Sequence, residues 1–198
     1  MSAATDEPDS GGASPRRYGG VSADERRAQR RERLIEAGFE VFGREGYLQS
    51  TMRLVCANAR LSERYFYENF ESLEELFRAV HRRASSKVGE QVMIKLAGMR
   101  GADGVAMTRA GLVTFFEMVQ ADPRLGRVML TDAVTTGMTN PQILGTRAAA
   151  WADMIRDRLA VLYPEMRQEL DVDYLLAGFG GVVVQVGAMW MDRKGVTP

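Results

Sequence analysis

Cysteine is almost absent: Cys56 is the single copy in 198 residues, so no disulfide can close within the chain and nothing requires an oxidising compartment. Histidine is as scarce, with His81 alone. One Cys and one His cannot make a zinc site, and no nucleophile stands at a telling spacing from a base. The expectation is therefore no metal, no cofactor, no catalytic residue and no enzyme. Net charge is also lacking, at a formal zero, which argues against a protein that binds nucleic acid by bulk charge alone. The N-terminus has no charged-then-apolar signal pattern, so the cytoplasm is the expected compartment. Strand-type alternation does not persist anywhere, so the chain is expected to be all-α.

Arginine is plentiful, with 23 copies against three lysines. Its distribution matters more than its sum. Residues 1–15 hold three acids and no base, residues 16–83 hold fourteen Arg against eleven acids, and the remainder balances at twelve and twelve. The basic excess is confined to one segment. Residues 1–21 are rich in Ser, Ala, Gly, Pro and acid, a composition that cannot offset its own ordering entropy and reads as a disordered tail. Ser22 and Glu25 then have the spacing of a capping box. Five Arg follow between positions 26 and 33, before Leu34, Ile35, Phe39, Val41 and Phe42 supply an apolar face. Arg26, Arg27, Arg30 and Arg31 are candidate phosphate contacts on a helix end that should project beyond the core. Gly46 ends this helix at little steric cost.

The chain is organised around Thr51 to Phe70, TMRLVCANARLSERYFYENF. Thr51, or Ser50, caps a first short helix whose apolar positions Met52, Leu54, Val55 and Ala59 lie about a turn apart. The pattern breaks at Arg60-Leu61, and Ser62 is placed to cap a second helix through its hydroxyl. Leu61 and Phe66 have the spacing of a hydrophobic staple. Two short helices joined this tightly are the signature of a helix-turn-helix. Phe66 and Phe70 should point inward. Glu63, Arg64, Tyr65, Tyr67, Glu68 and Asn69 should face outward, where Arg pairs with guanine and Tyr or Asn bonds phosphates and base edges. The DNA-binding candidates are thus Thr51, Arg53, Ser62, Glu63, Arg64, Tyr65, Tyr67 and Asn69, with Arg26 and Arg30 in support.

Residues 25–80 resemble the N-terminal DNA-binding domain of the TetR family of bacterial transcriptional regulators. The resemblance rests on Phe42, Gly46-Tyr47, Thr51, Val55-Cys56, Ala59, Leu61-Ser62, Phe66-Tyr67, Phe70, and Ser72 with Glu74 and Leu76. Four positions depart from the family pattern. Arg60 stands where Gly is usual in the turn, which implies a positive φ at a non-Gly residue. Arg64 replaces a small residue, Asn69 replaces His and can donate to a phosphate, and Leu73 replaces a backbone-touching Lys.

Further on, Ser72 and Glu75 form a second capping-box spacing that opens a long helix to about residue 97, carrying His81 at a surface or interfacial position. Gly98 to Gly104 reads as a break, Val105 to Ala121 as a helix, and Asp122-Pro123 as a restart. Residues 135–141 read as a loop. From Asn140-Pro141 to Pro164, Leu144, Ala148, Trp151, Ile155, Leu159 and Leu162 recur at helical spacing. Tyr174 to Met191 is apolar but for Gln185. At 18 residues it is short for a membrane span, and the expectation is a helix buried in the core and a dimer interface, with no membrane contact. In the family a further helix often follows a Trp placed like Trp190; here the sequence ends at Pro198, which implies a missing helix or a dimer built differently.

The expected architecture is an all-α protein: a disordered tail at 1–21, a three-helix helix-turn-helix domain at 22–80, and a larger helical ligand-binding and dimerisation domain at 81–198. What the resemblance implies is a ligand-responsive regulator, a homodimer through C-terminal helices including 174–191. It would be a repressor released from a palindromic double-stranded operator by a small apolar effector. Candidate ligand-binding residues are Phe115, Phe116, Val119, Met129, Trp151, Met154, Ile155, Phe179 and Val183, each of which plain core packing also explains. Asp132, Asp153 and Gln185 are the polar groups on offer to a ligand's polar end, and spacing selects none of them. The alternative is a helical scaffold or partner-binding protein that has lost DNA binding, with Arg60 and Leu73 as the motive.

Overall fold

Ser22 caps the first helix, as its spacing from Glu25 predicts. Its hydroxyl accepts the Glu25 N–H at 3.0 Å, and the Glu25 carboxylate accepts the Ser22 N–H at 2.6 Å. In the computed structural model, which describes residues 22–99, 101–132, 161 and 172–193, this box opens α1, Ala23–Glu45. Gly46 closes α1 at φ 82°, a backbone that an L side chain rarely adopts. A 3-10 turn, Tyr47–Gln49, leads to α2, Met52–Ala59, and α3, Glu63–Tyr67. The long α4, Leu73–Ala97, is followed by α5, Gly104–Ala121, and the short α6, Pro123–Gly126. A π-helical segment, Arg127–Thr131, continues α6, and α7 runs Val172–Asp192. Every described element is helical, as the sequence predicts. The expected boundary between residues 80 and 81 falls inside α4, which therefore runs from the helix-turn-helix into the second half without a break.

The core forms where the apolar stripes of α1 and α4 meet. Leu34 and Phe42 from α1, and Leu76, Phe77 and Val80 from α4, are fully buried. Phe42 and Phe77 meet edge to face with centroids 5.2 Å apart, and the Tyr47 ring lies 4.9 Å from Phe77. Burying a large apolar side chain stabilises by about 1.5–3 kcal/mol, so this aromatic trio is a principal joint of the domain.

A second joint ties α1 to the C-terminal half through charge and backbone. Gly43 packs so closely on α6 that a Cβ there would overlap the Arg124 side chain. The Arg124 guanidinium grips Asp122 with bonds of 2.8 and 2.9 Å and also reaches Glu40 of α1. Its hydrogen bonds hold the Asp122 carboxyl below the usual range. Arg127 donates to the Arg44 carbonyl, and the buried Asp132 accepts the Tyr47 N–H at 2.9 Å. Beyond this, α7 covers α6 and the π-helical segment, with Trp190 edge to face against Phe116 at 5.5 Å.

Several expectations need correction. The Ser72 hydroxyl does accept the Glu75 N–H at 3.1 Å, but the Glu75 carboxylate turns to the Glu71 N–H at 2.7 Å, so the box is not reciprocal. His81 is not a surface residue: it is 5% exposed, against the Phe77 ring. Helix α7 does meet the core along one face, as expected. Val183, Val184, Ala188, Trp190 and Met191 pack on the core, while Tyr174, Phe179, Val182, Val186 and Met189 are exposed. No helix among the described residues is long and apolar enough to cross a membrane. The tail at 1–21, the loop at 135–141 and most of the helix expected from 140 to 164 lie outside the described residues.

Burial of His81, with Arg82 close by, drops its pKa from 6.5 to about 4. Between those values the unfolded chain binds a proton that the folded chain excludes, so stability rises with pH across that window and is lost as pH falls through it. The loss should approach roughly 3 kcal/mol between pH 7 and pH 4. Urea denaturation of the wild type and of His81→Gln at both pH values checks this: the wild type should lose more stability than the variant by about that amount, and equal losses would refute it.

Candidate nucleic-acid interface

Helix α2 starts where Thr51 Oγ1 accepts the Leu54 N–H at 3.2 Å. It stops at Arg60, whose φ of 52° and ψ of 46° are left-handed. That conformation lets the Leu61 N–H return to the Cys56 carbonyl at 3.0 Å and swings the chain into α3. The departure at Arg60 thus keeps the turn rather than breaking it. Ser62 caps α3 through its carbonyl, which accepts the Tyr65 and Phe66 N–H groups at 3.0 and 3.2 Å. Its hydroxyl accepts no amide of α3, contrary to the expectation from sequence.

Phe66 and Phe70 are each 1% exposed and anchor α3 inward, as their spacing predicts. Outward stand Glu63, Arg64, Tyr65 and Tyr67, the last 62% exposed. Arg53 of α2 pairs with Glu63 at 3.2 Å, which brings the starts of the two helices together. Arg64 pairs with Glu68 at 3.2 Å, one turn along α3. Thr51, Arg53, Ser62, Glu63, Arg64, Tyr65 and Tyr67 are all exposed. Asn69 differs: it is half-buried, and its Nδ2 donates to the Tyr65 carbonyl at 2.8 Å.

The arginines of α1 do not behave as one solvated run. Arg27 donates to the Glu68 carbonyl at 2.6 Å, and Arg33 donates to the Ala59 carbonyl at 2.6 Å. Arg30 lies 4.5 Å over the Tyr65 ring and pairs with Glu68 at 3.5 Å. Arg31 lies 4.8 Å over Phe70. Arg26, one turn before Arg30, is exposed. Sequence reasoning missed these turns toward α2 and α3. The signal that was present is the three- and four-residue spacing of Arg27, Arg30 and Arg31, which sets them along one side of α1.

The ligand-binding candidates separate. Phe115 and Val119 are buried, and Phe116, Met129 and Val183 pack half-buried on the same core. Phe115 and Phe116 meet edge to face at 5.1 Å. Phe179 is 47% exposed on the outer side of α7 and lines nothing within the described chain. Trp151, Met154 and Ile155 lie outside the described residues. Of the polar candidates, Asp132 faces Tyr47 instead of a ligand space, Gln185 is exposed, and Asp153 lies outside the described residues. A cleft of about 280 Å³ opens elsewhere, between α1 and α2, where Glu40, Arg44, Glu45 and Asn58 give it a polar lining.

An L residue in the left-handed region costs about 1–2 kcal/mol, part of which glycine returns through its greater freedom when unfolded. Arg60→Gly should therefore stabilise the protein by about 1 kcal/mol, read as a rise in thermal midpoint. A lower midpoint would mean that the Arg60 side chain, not its backbone, holds the turn.

Comparison with known proteins agrees with this geometry. Residues 34–80 match the family model of bacterial regulatory proteins, tetR family. No curated protein matches the chain. Among solved structures it is similar to the fatty acid degradation regulator FadR from Bacillus halodurans, with a TM-score of 0.63 and 17% identity over 85% of this chain and 87% of that one. It is also similar to a gamma-butyrolactone receptor (ArpA-like protein), with a TM-score of 0.51 and 23% identity over 87% and 90%. At such identities both likenesses bear on the fold alone. The matched segment spans the latter half of α1, all of α2 and α3 and the first turns of α4, the elements that build the helix-turn-helix, so this part of the chain is similar to the matching segment of bacterial regulatory proteins of the tetR family.

Proposed function

We propose that the chain is a ligand-responsive repressor that acts in the cytoplasm as a homodimer on a palindromic operator. The observation that carries this reading is the outer face of α3, where Arg64 and Tyr67 stand exposed over the buried Phe66 and Phe70. Residues 22–80 form the DNA-binding domain and residues 81–198 the ligand-binding and dimerisation domain. Phosphate contacts from Thr51, Ser62, Tyr67 and Arg26 supply most of the affinity, and Arg53, Glu63, Arg64 and Tyr65 supply selectivity at base edges.

The dimer is supported by the outer face of α7. Phe179, Val182, Val186 and Met189 recur at three- and four-residue steps and are all exposed, so a second copy would bury a continuous apolar stripe. Two such chains would set their recognition helices into successive major grooves about 34 Å apart.

An apolar effector against Phe115, Phe116, Val119, Met129 and Val183 would favour a different spacing of the two heads, by no more than its differential affinity for the two arrangements. Movement of the C-terminal half would reach α1 through the bonds of Arg124, Arg127 and Asp132. Against the scaffold reading stands Arg60, which keeps the turn between α2 and α3 in its left-handed conformation.

Titration against labelled duplex from the protein's own upstream region, at near-physiological and raised salt, tests the proposal. The wild type should bind with steep salt dependence and prefer this duplex to a random one. Arg64→Ala and Tyr67→Ala should each cost about 1–3 kcal/mol of that binding while helicity is kept. Equal affinity for random duplex would contradict the proposal. For the dimer, sedimentation of the double variant Val182→Asp, Val186→Asp should show monomers, and an unchanged dimer would remove α7 from the interface.

A further inference from the structure

Helix α3 spans five residues and buries one side chain within its bounds, Phe66. So short a helix has little internal order of its own. The Tyr65 carbonyl accepts from Asn69 Nδ2 and the Phe66 carbonyl from the Asn69 and Phe70 N–H groups, and α1 supplies the next partner. Arg27 donates to the Glu68 carbonyl just past the end of α3. Arg30, its side chain 22% exposed, stacks on Tyr65 and pairs with one Glu68 oxygen, while Arg64 holds the other. A chain of contacts thus runs from α1 through Arg30 and Glu68 to Arg64, the exposed residue best suited to read a base. Glu68 in turn sits between two guanidiniums, which offsets the repulsion its carboxylate would meet near phosphates.

We infer that Arg27 and Arg30 are positioning residues: they hold the recognition helix and aim Arg64 through Glu68, rather than binding phosphates themselves. The inference rests on the DNA-binding reading above and changes the role expected of Arg30. A guanidinium already divided between a carboxylate and a ring gains less from a phosphate than a solvated one does. What it supplies is geometry, and the loss of geometry appears as lost selectivity.

The salt dependence of binding separates the two roles, because each phosphate ligand contributes about one unit to the slope of log affinity against log salt. The probes are a duplex selected by the wild-type full chain from a random-sequence pool, and an unselected duplex of equal length. Three variants are compared: Arg30→Gln, Arg30→Lys and Glu68→Gln. The positioning role predicts that Arg30→Gln weakens the selected duplex about tenfold, changes the random duplex less than about twofold, and leaves the slope unaltered. Arg30→Lys should fail to restore selectivity, since a point charge lacks the planar fork that meets ring and carboxylate together.

Glu68→Gln gives a check of opposite sign. Removing a negative charge near DNA should tighten binding by charge alone, yet the ratio of selected to random affinity should still fall about tenfold. A slope reduced by about one, equal weakening of both duplexes and rescue by lysine would identify Arg30 as a phosphate ligand and overturn the inference. Unchanged selectivity in Arg30→Gln and Glu68→Gln would overturn it as well. Should Arg30→Gln fail to fold, Glu68→Gln decides alone. A folded wild type that selects no duplex would defeat the DNA-binding reading and this inference together, and that failure is visible in the wild type before any variant is made.

Discussion

Helices of five and eight residues do not persist in water on their own, because nucleation costs more than so few backbone bonds return. The whole N-terminal part of this protein follows from that constraint. The surface proposed to meet DNA is carried by α2 and α3, so their order must come from the longer helices beside them, α1 at 23 residues and α4 at 25. It arrives in two forms. Phe66 and Phe70 sink into the core that Leu34, Phe42, Leu76 and Phe77 build. Arg33 and Arg27 close the open carbonyl ends of α2 and α3.

Helix α1 consequently serves two masters. Its N-terminal half faces the helix-turn-helix through Arg27, Arg30, Arg31 and Arg33. Its C-terminal half, with Glu40, Gly43 and Arg44, faces α6 and the π-helical segment. Asp132 completes that second contact from a buried position, where desolvation raises its pKa against the pull of the Tyr47 N–H and Arg127. The contact is polar and directional, so it tolerates little sliding. A shift of α6 therefore has a defined route to α1, and from α1 to the carbonyl ends of both short helices. Helix α4 runs unbroken alongside, joining the two halves as a second strut.

Much of this was legible because it is local. The box of Ser22 and Glu25, the stop at Gly46, the Thr51 cap and the inward pair Phe66 and Phe70 each depend on residues within a few positions of one another, whereas the positive φ at Arg60 is what the family resemblance implies. What escaped the sequence depends on distant partners. Tyr47 and Asp132 are 85 residues apart, and Arg124 and Glu40 are 84 apart; nothing near either end announces the pairing. His81 is expected at a surface or interface because no Cys or second His stands near it to share a metal, yet α4 turns it into the core beside Phe77. The arginine run reads from sequence as candidate phosphate contacts on a projecting helix end, and its contacts with α3 need the fold to bring that helix within reach. The apolar α7 shows one face covered and one exposed, a division that a uniformly apolar stretch does not reveal in its periodicity.

The central claim is that two rigidly supported recognition helices, one from each copy, address one face of a duplex. Hydroxyl-radical footprinting of the full chain on its selected duplex tests that claim most directly. Two protected windows on the same face, with centres about one helical turn apart and symmetric about the midpoint, are the predicted result. A single window, or uniform protection along the duplex, would contradict it.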